Sequence, residues 1–189
     1  MAGRGGDVVG HLQPGMALPA LALPSTLGGA VDLSRLEGRA VVYVYPWTGR
    51  PGIANPPGWD DIPGAHGSTP EAEGFRDAHR EFVARGVAIY GVSGQDSAWQ
   101  GEFSRRLGLP FALLSDEAGE LRMALSLPTF RAGPDTYLKR LTLITEAGRI
   151  AKVIHPVENP AGHAGEVLTL LEPWPERRRG PVEGERRDG

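Results

Sequence analysis

The alternation of short apolar runs with helix-period segments limits this chain's fold more than any other feature. Ala40 to Tyr45 is a continuous apolar run that stops at Pro46 and reads as a buried strand. From Glu71 to Arg85 the pattern changes to helical spacing, with Phe75, Ala78, Phe82 and Val83 on one face. Ser68 or Thr69 caps that helix, Pro70 suits its first turn, Ser68 with Glu71 reads as a capping box, and Gly86 stops it. Val87 to Val92 predicts the next strand. Asp96 and Ser97 then open a helix in which Trp99, Phe103 and Leu107 share a face before Gly108. Phe111 to Leu114 predicts a short strand and Glu120 to Leu125 a brief helix. Tyr137 to Ile144 and Ile150 to Ile154 predict two strands joined by the turn Glu146-Ala147-Gly148-Arg149, and Gly162 to Leu171 a closing helix. Strand, helix, strand, then hairpin and helix, implies an α/β protein with a mixed central sheet and helices on both faces.

With 189 residues and 40% hydrophobic content, the chain can form one domain with a substantial core. We expect that domain to span residues 14–172, after a flexible glycine-rich segment (1–13) and before a charged, disordered tail (173–189) that has almost nothing apolar to bury. A formal charge of -3 gives no electrostatic case for nucleic acid or for an anionic membrane. The run at Ala40 to Tyr45 is far too short to span a bilayer, and Met1 to Gly15 contains no apolar segment of the secretory kind, so cytoplasm is the expected location. The absence of any cysteine removes disulfides and thiolate metal sites. His66, His79, His155 and His163 are scattered without metal-ligand spacing, so neither a metal nor a cofactor is expected.

The segment Gly67-Ser68-Thr69-Pro70-Glu71-Ala72-Glu73-Gly74-Phe75-Arg76-Asp77 resembles the active-site signature of the peroxiredoxins, of the bacterioferritin-comigratory type. There a cysteine opens the pattern Gly-Cys-Thr-x-x-(Cys/x)-x-Phe-Arg-Asp. Other anchors follow in the same order. Leu21-Ala22-Leu23-Pro24 and Val31 to Arg39 resemble the family's opening hairpin and first helix, and Val42-Tyr43-Val44-Tyr45-Pro46 its strand leading to the active site. Gly91-Val92-Ser93, Leu109 to Asp116 and Arg140-Leu141-Thr142-Leu143-Ile144 are similarly placed. The resemblance implies a thioredoxin-like fold and thiol-dependent peroxide reduction. It places Ser68 at the peroxide-reducing cysteine, Glu73 where some members carry a resolving cysteine, and Arg140 as the charge stabiliser. Pro46, Ala65, His66, Gly67 and Thr69 are implied as the pocket wall. Implied partners are a hydroperoxide and an external thiol reductant, acting on a monomer or homodimer. Two departures stand out: Ala65 replaces the family's threonine before the cysteine, and the segment Trp47 to His66 is longer than the family's loop.

The chemistry of such a site needs sulfur. A thiolate at the first turn of a helix is stabilised by unpaired N–H groups and the positive end of the dipole, and it becomes a sulfenic acid when it takes an oxygen from a peroxide. A serine oxygen has no stable counterpart of that oxidation state. Ser68 therefore marks either an engineered replacement of the cysteine or a naturally degenerate member. Simpler readings stand beside these. Ser68 serves as a helix cap, a contribution of about 1 kcal/mol, and Arg140 is a solvated strand charge. Two other functions remain open: a non-catalytic binding module using the pocket or the 47–66 loop, and a different enzyme in which Arg140 holds an anionic substrate.

Overall fold

A computed structural model of the chain describes residues 8–171. The apolar run becomes β3 (Arg39–Val44), the middle strand of a five-stranded sheet. Period-two alternation sends Val41 and Tyr43 to one face and Val42 and Val44 to the other, and all four are fully buried. β4 (Val87–Ser93) runs parallel to β3, and β5 (Ala112–Ser115) parallel to β4. On the other side β8 (Leu141–Glu146) pairs antiparallel with β3 and with β9 (Arg149–Ile154), giving the order β5-β4-β3-β8-β9. The opening hairpin, β1 (Ala22–Pro24) with β2 (Ala30–Asp32), stands apart from this sheet. The expected first helix is a single turn at Leu33–Arg35, with Asp32 accepting the Ser34 N–H.

Among the described residues four α-helices flank the strands. α1 (Ser68–Ala84) lays Phe75 and Phe82 against Val41 and Tyr43, and the Phe75 ring stacks on Tyr43 at 4.7 Å. Full burial of each such ring contributes about 1.5–3 kcal/mol. Val83, at the margin of that stripe, remains exposed. α2 (Ser97–Leu107) is capped by Asp96, whose carboxylate takes the Trp99 N–H at 2.7 Å, and it ends at a left-handed Gly108. α3 (Glu120–Ala124) buries Leu121 in the cluster on the opposite face, while α4 (His163–Leu170) packs Val167 and Leu168 beside α1.

Several expectations need correction. Residues 8–13 are not loose: Val9 and Leu12 are buried, and His11 bonds the Leu125 carbonyl through Nε2 at 2.9 Å. Residues 1–7 and the expected tail lie outside the described residues. The strand expected over Tyr137 to Ile144 is two. β7 (Asp135–Leu138) pairs with β6 (Thr129–Ala132) in a separate ribbon, and only after Lys139 and Arg140 does the chain enter the main sheet as β8. α1 also starts at Ser68 rather than Glu71. Its cap is Gly67, at φ 107 and without a side-chain bond, so Ser68 belongs to the helix and the capping box is not formed. A Cβ on Gly67 would fall 2.7 Å from Pro160, which makes glycine the residue that fits this corner.

Candidate functional site

The break between β7 and β8 turns Arg140 inward, where the residue is only 5% exposed. It is not a solvated edge charge. Its Nη1 pairs with the Glu71 carboxylate, and its Nη2 donates to the His66 carbonyl and to Ser68 Oγ, each at 3.1 Å. The His155 ring holds the Arg140 carbonyl at 3.0 Å. Ser68 and Glu71 are three residues apart in the first turn of α1, so they share one helix face, and both are buried. The sheet junction and the helix start thus meet at one guanidinium, adding its charge to the positive end of the α1 dipole beside Oγ. Any anion formed on the side chain at position 68 would be stabilised here.

Above Ser68 lies a hollow of about 300 Å³. Ala65, His66, Gly67 and Thr69 line it, together with Trp47, Trp59 and Asn55 from the long loop. Pro46 does not: it lines a neighbouring cleft, because the chain turns after β3 and Trp47, common to both linings, forms the wall between them. Glu73 is half-buried on α1 and lines neither space. The His66 ring is turned to Asp60, with Nε2 to Oδ1 at 2.8 Å, so it is the His66 backbone and not its imidazole that meets Arg140. The loop is packed rather than draped over the helix start. Trp59 is buried between Trp47, Phe130 and Tyr137, with ring centroids at 5.4, 5.6 and 5.0 Å. Glu71 pairs with Arg140, and Trp47 and Trp59 line the hollow; the sequence reading singled out none of the three for this place. The i, i+3 spacing of Ser68 and Glu71 was the available signal, read there as a cap.

Burial pushes the Glu71 carboxyl up to about 7, against the downward pull of Arg140. Its folded value lies above the ordinary 4.5, so the folded state retains a proton that the unfolded chain releases. The resulting stabilisation is complete below pH 4.5 and is lost as pH rises through about 7. His163 acts oppositely. Burial lowers its value from 6.5, so its contribution is present above pH 6.5 and is lost as pH falls through the lower folded value. Urea unfolding of Glu71→Gln should separate the two. Its stability relative to the unchanged chain is expected to rise by on the order of 1–3 kcal/mol between about pH 5 and 7. Parallel pH profiles would show that Glu71 does not titrate in this window.

This sheet order, with a guanidinium facing the start of α1, defines a thioredoxin-fold protein of the redoxin class; the redoxin family profile matches residues 13–169. The chain belongs to the peroxiredoxins of that family. It is 34% identical to a chloroplastic peroxiredoxin Q from Oryza sativa subsp. japonica over 172 residues, covering 90% of this chain and 71% of the relative. A chloroplastic peroxiredoxin Q from Triticum aestivum is 30% identical, with 88% and 70% covered. Among solved structures, the Xanthomonas campestris bacterioferritin comigratory protein, described for alkyl peroxide reduction, superposes with a TM-score of 0.66 at 26% identity, covering 84% and 96% of the two chains. A cysteine-to-serine mutant of Xanthomonas campestris peroxiredoxin Q gives 0.66 at 25%, covering 83% and 95%. Among the described residues no helix is long and apolar enough to cross a membrane.

Proposed function

We propose that the chain is a peroxiredoxin scaffold stopped at its chemical step by the serine at position 68. The observation that carries this reading is the 3.1 Å bond from Arg140 Nη2 to Ser68 Oγ at the first turn of α1, beneath an open hollow. With sulfur at that position, a thiolate would attack the distal oxygen of a hydroperoxide. The O–O bond breaks, the alkoxide leaves and takes up a proton to become an alcohol, and the sulfur is oxidised to a sulfenic acid. One external thiol then displaces water to form a mixed disulfide, and a second returns the thiol and leaves as the oxidised reductant. Arg140 would hold the thiolate and the polarised peroxide oxygens, while Glu71 fixes the guanidinium. Ser68 can occupy this place, accept the arginine's hydrogen bond and go no further. This account applies equally to an engineered and to a natural serine. Cytoplasm is the proposed compartment, on composition alone.

The test is Ser68→Cys in the full chain. Folded protein is expected to consume hydroperoxide with an external thiol and to form a sulfenic acid trapped by dimedone, against no turnover in the unchanged chain. A folded Ser68→Cys protein that neither consumes peroxide nor traps would overturn the proposal. It would favour the second reading, a non-catalytic binding module, which the ordered Trp47–Trp59 wall of the loop supports.

A further inference from the structure

Across Trp47 from the Ser68 hollow lies a second cleft, of about 350 Å³, between the turn after β4, the start of α3 and the strand β7. One side is aromatic, formed by Trp47, Trp99 and Tyr137. Trp99 is fixed in place: its indole N–H donates to the Thr48 carbonyl at 2.8 Å and its backbone N–H to Asp96 at 2.7 Å. Trp47 leans on it with ring centroids 5.9 Å apart. Trp99 already receives a cation within the chain, since the Arg50 guanidinium lies 4.3 Å from its ring centroid. Arg50 does not line the cleft.

The remaining lining is acidic. Asp96, Asp116, Glu117 and Asp135 face the cleft against Arg122 as the lining cation. Asp116 is only 3% exposed and accepts the N–H groups of Leu121 and Arg122, both at 2.9 Å, which fixes its charge in the wall. Arg122 is folded back over the α3 start, where a Cβ on Gly119 would meet its Nη2 at 2.9 Å. Glu117 and Asp135 stand exposed in the lining. Flat π-faces on one side and an excess of carboxylates on the other attract positive charge and repel anions. The volume suits a small molecule rather than a folded domain.

We propose that this cleft binds a small organic cation, an ammonium or guanidinium group on a short aliphatic stem. The stem lies along Trp47 and Trp99, and the charged end meets Glu117 and Asp135. Nothing in this assignment uses Ser68 or Arg140, so it stands or falls separately from the peroxidase reading.

Agmatine titrated into the full chain, followed by tryptophan fluorescence and calorimetry, tests it. Saturable binding is expected, weakened about tenfold or more in Glu117→Gln/Asp135→Asn and weakened further by salt. Butanol, a neutral probe of similar stem, is expected to produce no saturation. A capped arginine peptide forms the second arm: tighter binding than agmatine assigns the cation to a peptide side chain, weaker binding to a free amine, and either supports the cation site. No saturation by agmatine, equal binding of butanol, or an unchanged affinity in the double variant would overturn it. The same double variant in the Ser68→Cys background is expected to keep its peroxide consumption, which separates a failure here from a failure of the peroxidase proposal.

Discussion

Arg140→Met is expected to remove about 3–5 kcal/mol of folding stability at mildly alkaline pH, where the Glu71 carboxyl (about 7) is ionised, read as a shift in urea midpoint without a change in slope. The loss comes less from missing contacts than from what is left behind. Glu71 is fully buried, its Oε1 has no hydrogen-bond partner among the described residues, and Arg140 is the cation that neutralises it. Without the guanidinium, the carboxylate must either stay charged in an apolar interior or take up a proton. Part of the loss should therefore be recovered in mild acid. Replacing both partners, as Arg140→Met/Glu71→Leu, is expected to restore stability to near that of the unchanged chain, because well-packed apolar groups of similar volume substitute for a buried pair at little cost. A single variant that loses less than about 1 kcal/mol would show that water reaches the pair and screens it.

Gly148→Ala is expected to be comparably damaging for a different reason. Ala147 and Gly148 form the two-residue turn between β8 and β9, at φ 47 and 70, the mirror-image turn whose twist suits a hairpin. A Cβ on Gly148 would stand 2.0 Å from the Ser34 carbonyl oxygen, which is backbone and cannot swing aside like a side-chain end. Left-handed strain of about 1–2 kcal/mol is joined by a collision of about 1–3 kcal/mol. Gly86→Ala supplies the control, since Gly86 has φ 66 and nothing within 4 Å of its Cβ position. Gly86→Ala should cost only the strain. If the two variants lose the same amount, the Leu33–Arg35 turn is free to shift and the collision is relieved.

The core elements were legible because their signals are local. The run ending at Pro46, the Asp96 cap and the Gly108 stop each lie within a few residues of what they specify, and each appears where expected. Failures occurred where a distant partner decides. Tyr137 to Ile144 reads as one strand, yet its first half is drawn to Thr129–Ala132 and its second to β3, and the break between them is what aims Arg140 inward. Ser68 looks like a cap, but Gly67 makes the turn because Pro160 crowds it, and the hydroxyl then faces Arg140. Ser68 and Arg140 were singled out through family resemblance, and the structure brings the two side chains together. Glu71 as their third member was hidden, because a buried ion pair between α1 and the β7–β8 junction has no periodic trace in a single sequence. Trp59 was also hidden, since nothing near it announces that Phe130 and Tyr137 will enclose it.

Trp47 is common to two chambers, one over Ser68 and one rimmed by carboxylates. A guest that tilts this indole in either chamber reshapes the other, and equilibrium linkage makes the influence mutual and equal in free energy. Through this shared wall, occupancy of one chamber would be felt in the other.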